Sequence, residues 1–302
     1  MLHLIERPDD HVLVRVAPAR RAIVSWNSRS PAGALALTMY RTDGSISEPL
    51  PYVRWLPTAR RSLDGADDRT RIAVDIVRSE VPLSGIGIAT EGSLEAVAVA
   101  TPPLHDDVAA YRYRVATLDV PTLPQAVTGV PHSGSRWCSP ASLAMLLRYH
   151  GVDVNVRETA AGVTDERYGG TGNWAFNAAY AGRFGLRGVV AYLAGLDHAG
   201  AFLAAGLPVA LSIAWNHGEL VGAPLPTSDG HLIVLRGLEP GFAIVNDPAQ
   251  PGVAVRYDRA SLDRVFRAHG GVAYLVAPRA RSGELVALAN DIGRASARRA
   301  TE

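Results

Sequence analysis

The single cysteine of this 302-residue chain, Cys138, stands in Trp137-Cys138-Ser139-Pro140-Ala141-Ser142-Leu143, where an apolar helical stretch begins. A thiol attacks as its thiolate, and the unpaired N–H groups and positive dipole end of a helix start favour that form. Ser139 reads as an N-cap and Pro140 as the first helical residue, and Leu143, Leu146 and Leu147 follow at the spacing of a buried helical face. Two later segments supply partners. His231 opens an apolar, β-branched run and reads as the first residue of a strand, and Asp247 closes the next such run just before Pro248. A nucleophile, a general base and an acid that orients the base are the parts of covalent acyl transfer.

For these groups to meet, the two runs must pair. Leu238-Glu239-Pro240-Gly241 between them has the composition of a turn, so an antiparallel hairpin is expected. The start of one strand then lies beside the end of the next, which makes His231 and Asp247 neighbours at one end of a sheet. Asn246 competes with Asp247. Adjacent side chains on a strand point to opposite faces, so only one of them can face His231. His217 is the rival base in this half of the chain, but it starts no strand and has no acid hairpinned against it.

A cysteine at a helix start, followed much later by a histidine and an acid on neighbouring strands, is the order of papain-like enzymes. Residues from about 120 to 278 resemble the C39-like peptidase family (C39_2 type), bacterial relatives of those enzymes. The matching elements are Val120-Pro121 with Leu123-Pro124-Gln125, Trp137-Cys138-Ser139-Pro140-Ala141-Ser142, Gly172-Asn173-Trp174-Ala175-Phe176-Asn177, Ala205-Gly206-Leu207-Pro208-Val209, Gly230-His231-Leu232 and Asn246-Asp247-Pro248. The resemblance implies that Cys138 is the nucleophile, His231 the general base and then acid, and Asp247 the group that fixes the imidazole tautomer. It favours Asp247 over Asn246. It also implies that Gln125 donates a side-chain N–H to the oxyanion together with the backbone N–H of Cys138, with the residues 130–135 looping out between them. His132 and Arg136 are alternative oxyanion donors. The family usually has Cys-Gly-Pro where this chain has Cys138-Ser139-Pro140, and a serine there can cap the helix. Trp137, Asn173 and Trp174 are expected at the substrate cleft. Gly169-Gly170-Thr171-Gly172 lacks the lysine and Ser/Thr of a phosphate loop and reads as part of the same cleft.

Composition narrows the function further. Hydrophobic residues make up 48% of the chain, enough for two cores, and the net charge is +1. No basic stripe with interleaved aromatics appears, so no nucleic-acid partner is expected. Arg279, Arg281, Arg294, Arg298 and Arg299 read as the solvated face of a terminal helix. One cysteine excludes intrachain disulfides and cysteine-based zinc, and no metal or cofactor is expected. The first ten residues lack a basic segment followed by an apolar stretch, and no apolar run approaches the roughly 18 residues of a membrane span. The expectation is a cytoplasmic protein, or a secreted one if its start was trimmed.

Two domains are expected, 1–118 and 119–302. The first reads as an all-β sandwich of accessory role, with strands at 11–16, 22–26, 34–41, 52–56, 71–78 and 94–100, and a further strand at 111–118 that either ends it or leads into the second domain. Asp64-Gly65-Ala66-Asp67-Asp68 lacks the full spacing of a calcium loop and reads as a turn. Ser25-Trp26-Asn27 resembles an element of the N-terminal β domain of some relatives. Trp26, Tyr40, Tyr52 and Trp55 are either sandwich core or a platform for carbohydrate or cell-wall contact. The second domain has helices at 140–149, 174–184 and 197–205, a strand at 188–192 and further strands from 208. That is the α+β order of a papain-like fold. The function expected is that of a cysteine peptidase or amide hydrolase acting on a peptide or peptide-like substrate through a thioester. An acyltransferase on the same scaffold and a catalytically silent peptide-binding homologue are the alternatives.

Overall fold

A computed structural model describes residues 1–103 and 117–291. The strand expected at 111–118 lies outside them except for its last two residues, as do Arg294, Arg298 and Arg299. The chain forms two compact units, Met1–Pro102 with Val163–Ala191, and Pro103–Gly162 with Tyr192–Glu302. Residues 163–191, expected with the C-terminal part, are therefore grouped with the N-terminal strands.

The first unit is sheet-rich. Its antiparallel sheet of eight strands runs in the order Leu2–Glu6, Ala96–Ala100, His11–Asn27, Ile76–Glu91, Gly33–Arg41, Leu50–Trp55 and Arg60–Ser62, with Thr70–Ala73 also paired to Ile76–Glu91. Three runs differ from the sequence reading for local reasons. Residues 11–16 and 22–26 belong to one strand, His11–Asn27, whose register against Ile76–Glu91 slips between Arg15 and Ala19 and again between Ala19 and Arg21. Pro18 falls in the first slip, and a residue without an N–H cannot hold a place in the ladder. Such bulges break the alternation that marks a strand in sequence. The run 71–78 is instead a hairpin, Thr70–Ala73 and the start of Ile76–Glu91, reversed at Val74 and Asp75. Val74 has φ near +60°, a conformation that β-branched residues rarely adopt, so no turn residue marks the place. Asp75 accepts the Trp174 N–H at 2.6 Å, and burial pushes its carboxyl up to about 7.

The Ser25-Trp26-Asn27 element holds the 163–191 segment. Ser25 Oγ accepts the Val190 N–H at 3.2 Å, and Asn27 Nδ2 donates to the carbonyls of Gly188 at 3.0 Å and Ala178 at 3.3 Å. Trp26 stacks on Trp55 and meets the edge of Phe176 in the core. Gly182 is required beside Asn27, because a Cβ there would stand 2.7 Å from the Asn27 Cβ. Trp26, Tyr52 and Trp55 are all buried, so they are core and not an exposed platform; Tyr40 alone of the four is half-exposed. Asn27→Ala leaves two buried carbonyls without their donor and is expected to lower stability by about 2–4 kcal/mol, measured as the shift of a urea-unfolding midpoint at constant slope.

In the second unit an antiparallel sheet runs in the order Ala254–Asp258, Phe242–Asn246, Ser228–Glu239, Val209–Trp215 and Val272–Pro278. The expected hairpin is present. Glu239 pairs with Phe242 across Pro240-Gly241, where Gly241 takes a positive φ of 79° suited to so tight a reversal. The helix Cys138–Tyr149 packs on Ser228–Glu239, with Ala141, Leu143, Ala144, Met145, Leu146 and Leu147 buried. Among the described residues no helix is long and apolar enough to cross a membrane.

Candidate active site

Two hydroxyls fix the cysteine helix against the strand that carries His231. Ser142 Oγ donates to the Leu232 carbonyl at 3.0 Å, and Ser139 Oγ lies 2.9 Å from the Tyr274 hydroxyl. Ser139 is therefore not an N-cap. The helix begins at Cys138 itself, after Trp137, and the Ser139 side chain turns into the core. Its N–H is among the groups that hold the Cys138 thiol down.

His231 lies inside its strand, preceded by Ser228, Asp229 and Gly230 and paired across to Ile213. Its Nε2 is 2.7 Å from Asp247 Oδ1, and the imidazole interacts electrostatically with Cys138. Because Nε2 is engaged by the carboxylate, Nδ1 is the nitrogen left for the thiol. The Trp215 ring stands edge-on to the imidazole at 5.7 Å between centroids, held by Nε1 donating to the Leu225 carbonyl at 3.0 Å. Cys138 is half-buried, while His231 and Asp247 are buried.

The electrostatics follow from these bonds. Burial pushes the Cys138 thiol up, but the hydrogen bond and charge of His231, with the N–H groups of Leu232 and Ser139, outweigh it and hold the thiol below its ordinary value. Burial lowers the His231 imidazole, whereas the bonds to Asp247 and Cys138 raise it, with a net result of about 10. Burial likewise works against the Asp247 carboxylate, and its donors, His231 first, hold it below the usual carboxylate range. Each shift favours the charged form: thiolate for Cys138, imidazolium for His231 and carboxylate for Asp247.

Alternation along the strand settles where the two adjacent candidates point. Asn246 is buried and donates through Nδ2 to the carbonyls of Val120 at 3.1 Å and Pro121 at 3.3 Å, while Asp247 takes the imidazole. Gln125 is buried too; its N–H donates to the Pro248 carbonyl at 2.9 Å, and its Nε2 donates to the Gly134 carbonyl at 2.5 Å. One amide hydrogen is thus committed and one remains. His132 and Arg136 are exposed at the short Ser133–Arg136 helix, His217 is exposed in the loop after Val209–Trp215, and Trp137 is half-buried beside Cys138.

Asn173 and Trp174 belong to the first unit. Asn173 caps the Trp174–Gly182 helix by accepting the Phe176 N–H, donates to Asp165 at 2.9 Å and is fully buried. Its side chain is engaged in holding that helix end and is not available to line a cleft. Trp174 is half-exposed. The 64–68 turn is organised by arginines: Asp67 pairs with Arg41, and Asp64 with Arg167 at 2.7 Å. Among the described residues no cluster of three or more His, Cys, Asp and Glu side chains could hold a metal ion.

Sequence reasoning missed Tyr257, Gln250 and Trp215. Tyr257, on the strand next to that of Asp247, donates its hydroxyl to Asp247 Oδ2 at 2.7 Å, and Gln250 Nε2 lies 3.1 Å from the Tyr257 oxygen. A tyrosine ten residues past the acid, after a proline turn and inside a strand, is the one signal that existed.

A model of the Peptidase_C39 like family matches residues 117–274. Among solved structures, a C39-like peptidase from Bacillus anthracis is 17% identical, with a TM-score of 0.44 over 55% of this chain and 98% of that one. A double glycine motif protease from an AMS/PCAT transporter, solved in complex with the leader peptide, is 22% identical with a TM-score of 0.38, covering 55% of this chain and 97% of that one. The peptidase domain of Streptococcus ComA is 18% identical with a TM-score of 0.37, covering 52% and 97%. No curated protein matches this chain.

Proposed function

The chain belongs to the Peptidase_C39 like family, and on that premise we propose that it is a cysteine peptidase, an amide hydrolase that works through Cys138, His231 and Asp247 on a papain-like α+β scaffold. The observation that carries the reading is the 2.7 Å hydrogen bond between His231 Nε2 and Asp247 Oδ1, with the imidazole and the Cys138 thiol each shifted by the other towards its charged form. The thiolate attacks the amide carbonyl carbon and the carbonyl electron pair moves to oxygen. The His231 imidazolium then gives its proton to the leaving amine as the C–N bond breaks, which leaves a thioester. Water loses a proton to the now neutral imidazole and attacks the thioester, the thiolate departs, and the ion pair is restored.

The inward turn of Ser139 to Tyr274 favours this reading over a silent homologue. The serine that stands in place of the usual glycine commits its hydroxyl to Tyr274, and its N–H still helps to hold the Cys138 thiol down. Hydrolysis and transfer to a second amine use the same residues, so the acceptor decides between them; product analysis with and without an added amine separates the two. The N-terminal unit is proposed as an accessory sandwich, made from one sheet whose longest strands carry bulges that let it fold over. The reading is tested by a screen of peptides and cell-wall fragments against wild type and Cys138→Ala side by side, where a substrate cleaved equally by both overturns it.

Gln125 is proposed as the side-chain donor to the oxyanion, supported by its burial and its uncommitted amide hydrogen. Gln125→Ala is expected to lower kcat by about 10²–10³ with KM nearly unchanged. Should that variant be silent and His132→Ala or Arg136→Ala carry the loss, the donor is in the loop.

A further inference from the structure

We propose that Tyr257 and Gln250 are positioning residues for the Cys138–His231 pair, acting through Asp247 and tying it to the loop that contains Gly222. The inference rests on the reading of Cys138 as the nucleophile.

The direction of each bond follows from which atoms have hydrogens to give. Gln250 Nε2 lies 2.6 Å from the Gly222 carbonyl, which can only accept, so the amide nitrogen is fixed on that side. Its second hydrogen then goes to the Tyr257 oxygen at 3.1 Å. The Tyr257 hydroxyl has one hydrogen, and it goes to Asp247 Oδ2 at 2.7 Å. Asp247 Oδ1 meanwhile accepts from His231 Nε2 and from the Ala249 N–H at 2.9 Å. Both carboxylate oxygens are thus occupied by donors, which suits only the ionised acid, and the plane of the carboxylate is set by groups on both of its sides.

The supports of this relay are themselves rigid. Tyr257 is buried and paired across the sheet to Ala243, so its ring has no alternative face. Gln250 sits in the turn that follows Asp247, closed by Gln250 N–H to the Asp247 carbonyl at 3.1 Å, Val253 N–H to the Gln250 carbonyl at 3.0 Å and Asp247 N–H to the Val253 carbonyl at 2.8 Å. The residue that steadies Tyr257 is therefore built from the same turn as the carboxylate that Tyr257 holds. The relay runs from Gly222 through Gln250, Tyr257, Asp247 and His231 to the sulfur, and a displacement of the loop at Gly222 acts on the imidazole along it.

The test is the rate of Cys138 carbamidomethylation by iodoacetamide against pH, together with kcat and KM on a small activated ester, for the 302-residue wild type, Tyr257→Phe and Gln250→Leu. Cys138 is the sole cysteine, so the label reports one site. Tyr257→Phe keeps the ring and removes only the donor. It is expected to move the midpoint of the alkylation curve up by roughly one pH unit and to lower kcat about ten-fold with KM unchanged; Gln250→Leu shifts both in the same direction by less. Curves that superimpose on wild type, even where the melting temperature falls, give the two residues a merely structural role and overturn the proposal. If Tyr257→Phe does not fold, the Gln250→Leu curve decides alone. A wild-type protein without turnover on any ester or amide overturns the peptidase reading instead, and the alkylation curves still report on the relay.

Discussion

Replacing Cys138 with alanine is expected to reduce amide hydrolysis by about 10⁶-fold, to the level set by substrate binding and the oxyanion donors alone. No neighbouring group can take over. Ser139 Oγ is turned to Tyr274, and Ser142 Oγ donates to the Leu232 carbonyl, so neither hydroxyl meets His231. His231→Ala is expected to be nearly as damaging, and the double variant no worse than either single one, because a nucleophile without its base and a base without its nucleophile fail at the same step. Turnover measured with purified single and double variants checks this; additive losses contradict a shared step.

Asp247→Ala is expected to cost about 10⁴-fold in kcat, a smaller loss because the thiol and the imidazole both remain. The physical loss is specific. The His231 Nε2–H, the Tyr257 hydroxyl and the Ala249 N–H all lose their acceptor in a buried place, and the imidazolium loses the charge that raises it. With His231 less able to stay protonated, the Cys138 thiol rises towards its ordinary value. The activity that remains should therefore need higher pH than in wild type. A variant with wild-type turnover, or one whose residual activity keeps the wild-type pH dependence, contradicts the role given to Asp247.

The centre of this site was legible because its chemistry is written in local elements. Cys138 at a helix start, the two apolar runs and the Pro240-Gly241 turn specify a helix and a hairpin; strand alternation allowed only one of Asn246 and Asp247 to face His231, and the family resemblance favoured Asp247. What escaped lies one step outward. Tyr257 reaches the carboxylate across a neighbouring strand and Gln250 through a turn, so each looks in sequence like an ordinary strand or loop residue until the register is known. Asn173 shows the converse: its place in a matching motif suggested a cleft, whereas its spacing to Phe176 is that of a helix cap. In the first unit, Pro18 and the positive φ of Val74 broke the periodicity on which strand boundaries depend. The expected division at 118/119 has the same origin. Composition changes there, but Ser25, Trp26 and Asn27 hold residues 176–190 by contacts distant in sequence, and a chain beginning at Leu118 would leave Phe176 without its core partners.

The ion pair is open to direct measurement through the pH dependence of Cys138 carbamidomethylation by iodoacetamide in the wild-type protein, followed by intact mass, with Asp247→Ala as the contrast. Expected are a thiolate already reactive below the ordinary cysteine value of about 8.5, a second rise in rate as pH passes the His231 value of about 10, and a first limb moved upward in Asp247→Ala. A single titration near the ordinary thiol value, the same in both proteins, would show that no ion pair exists.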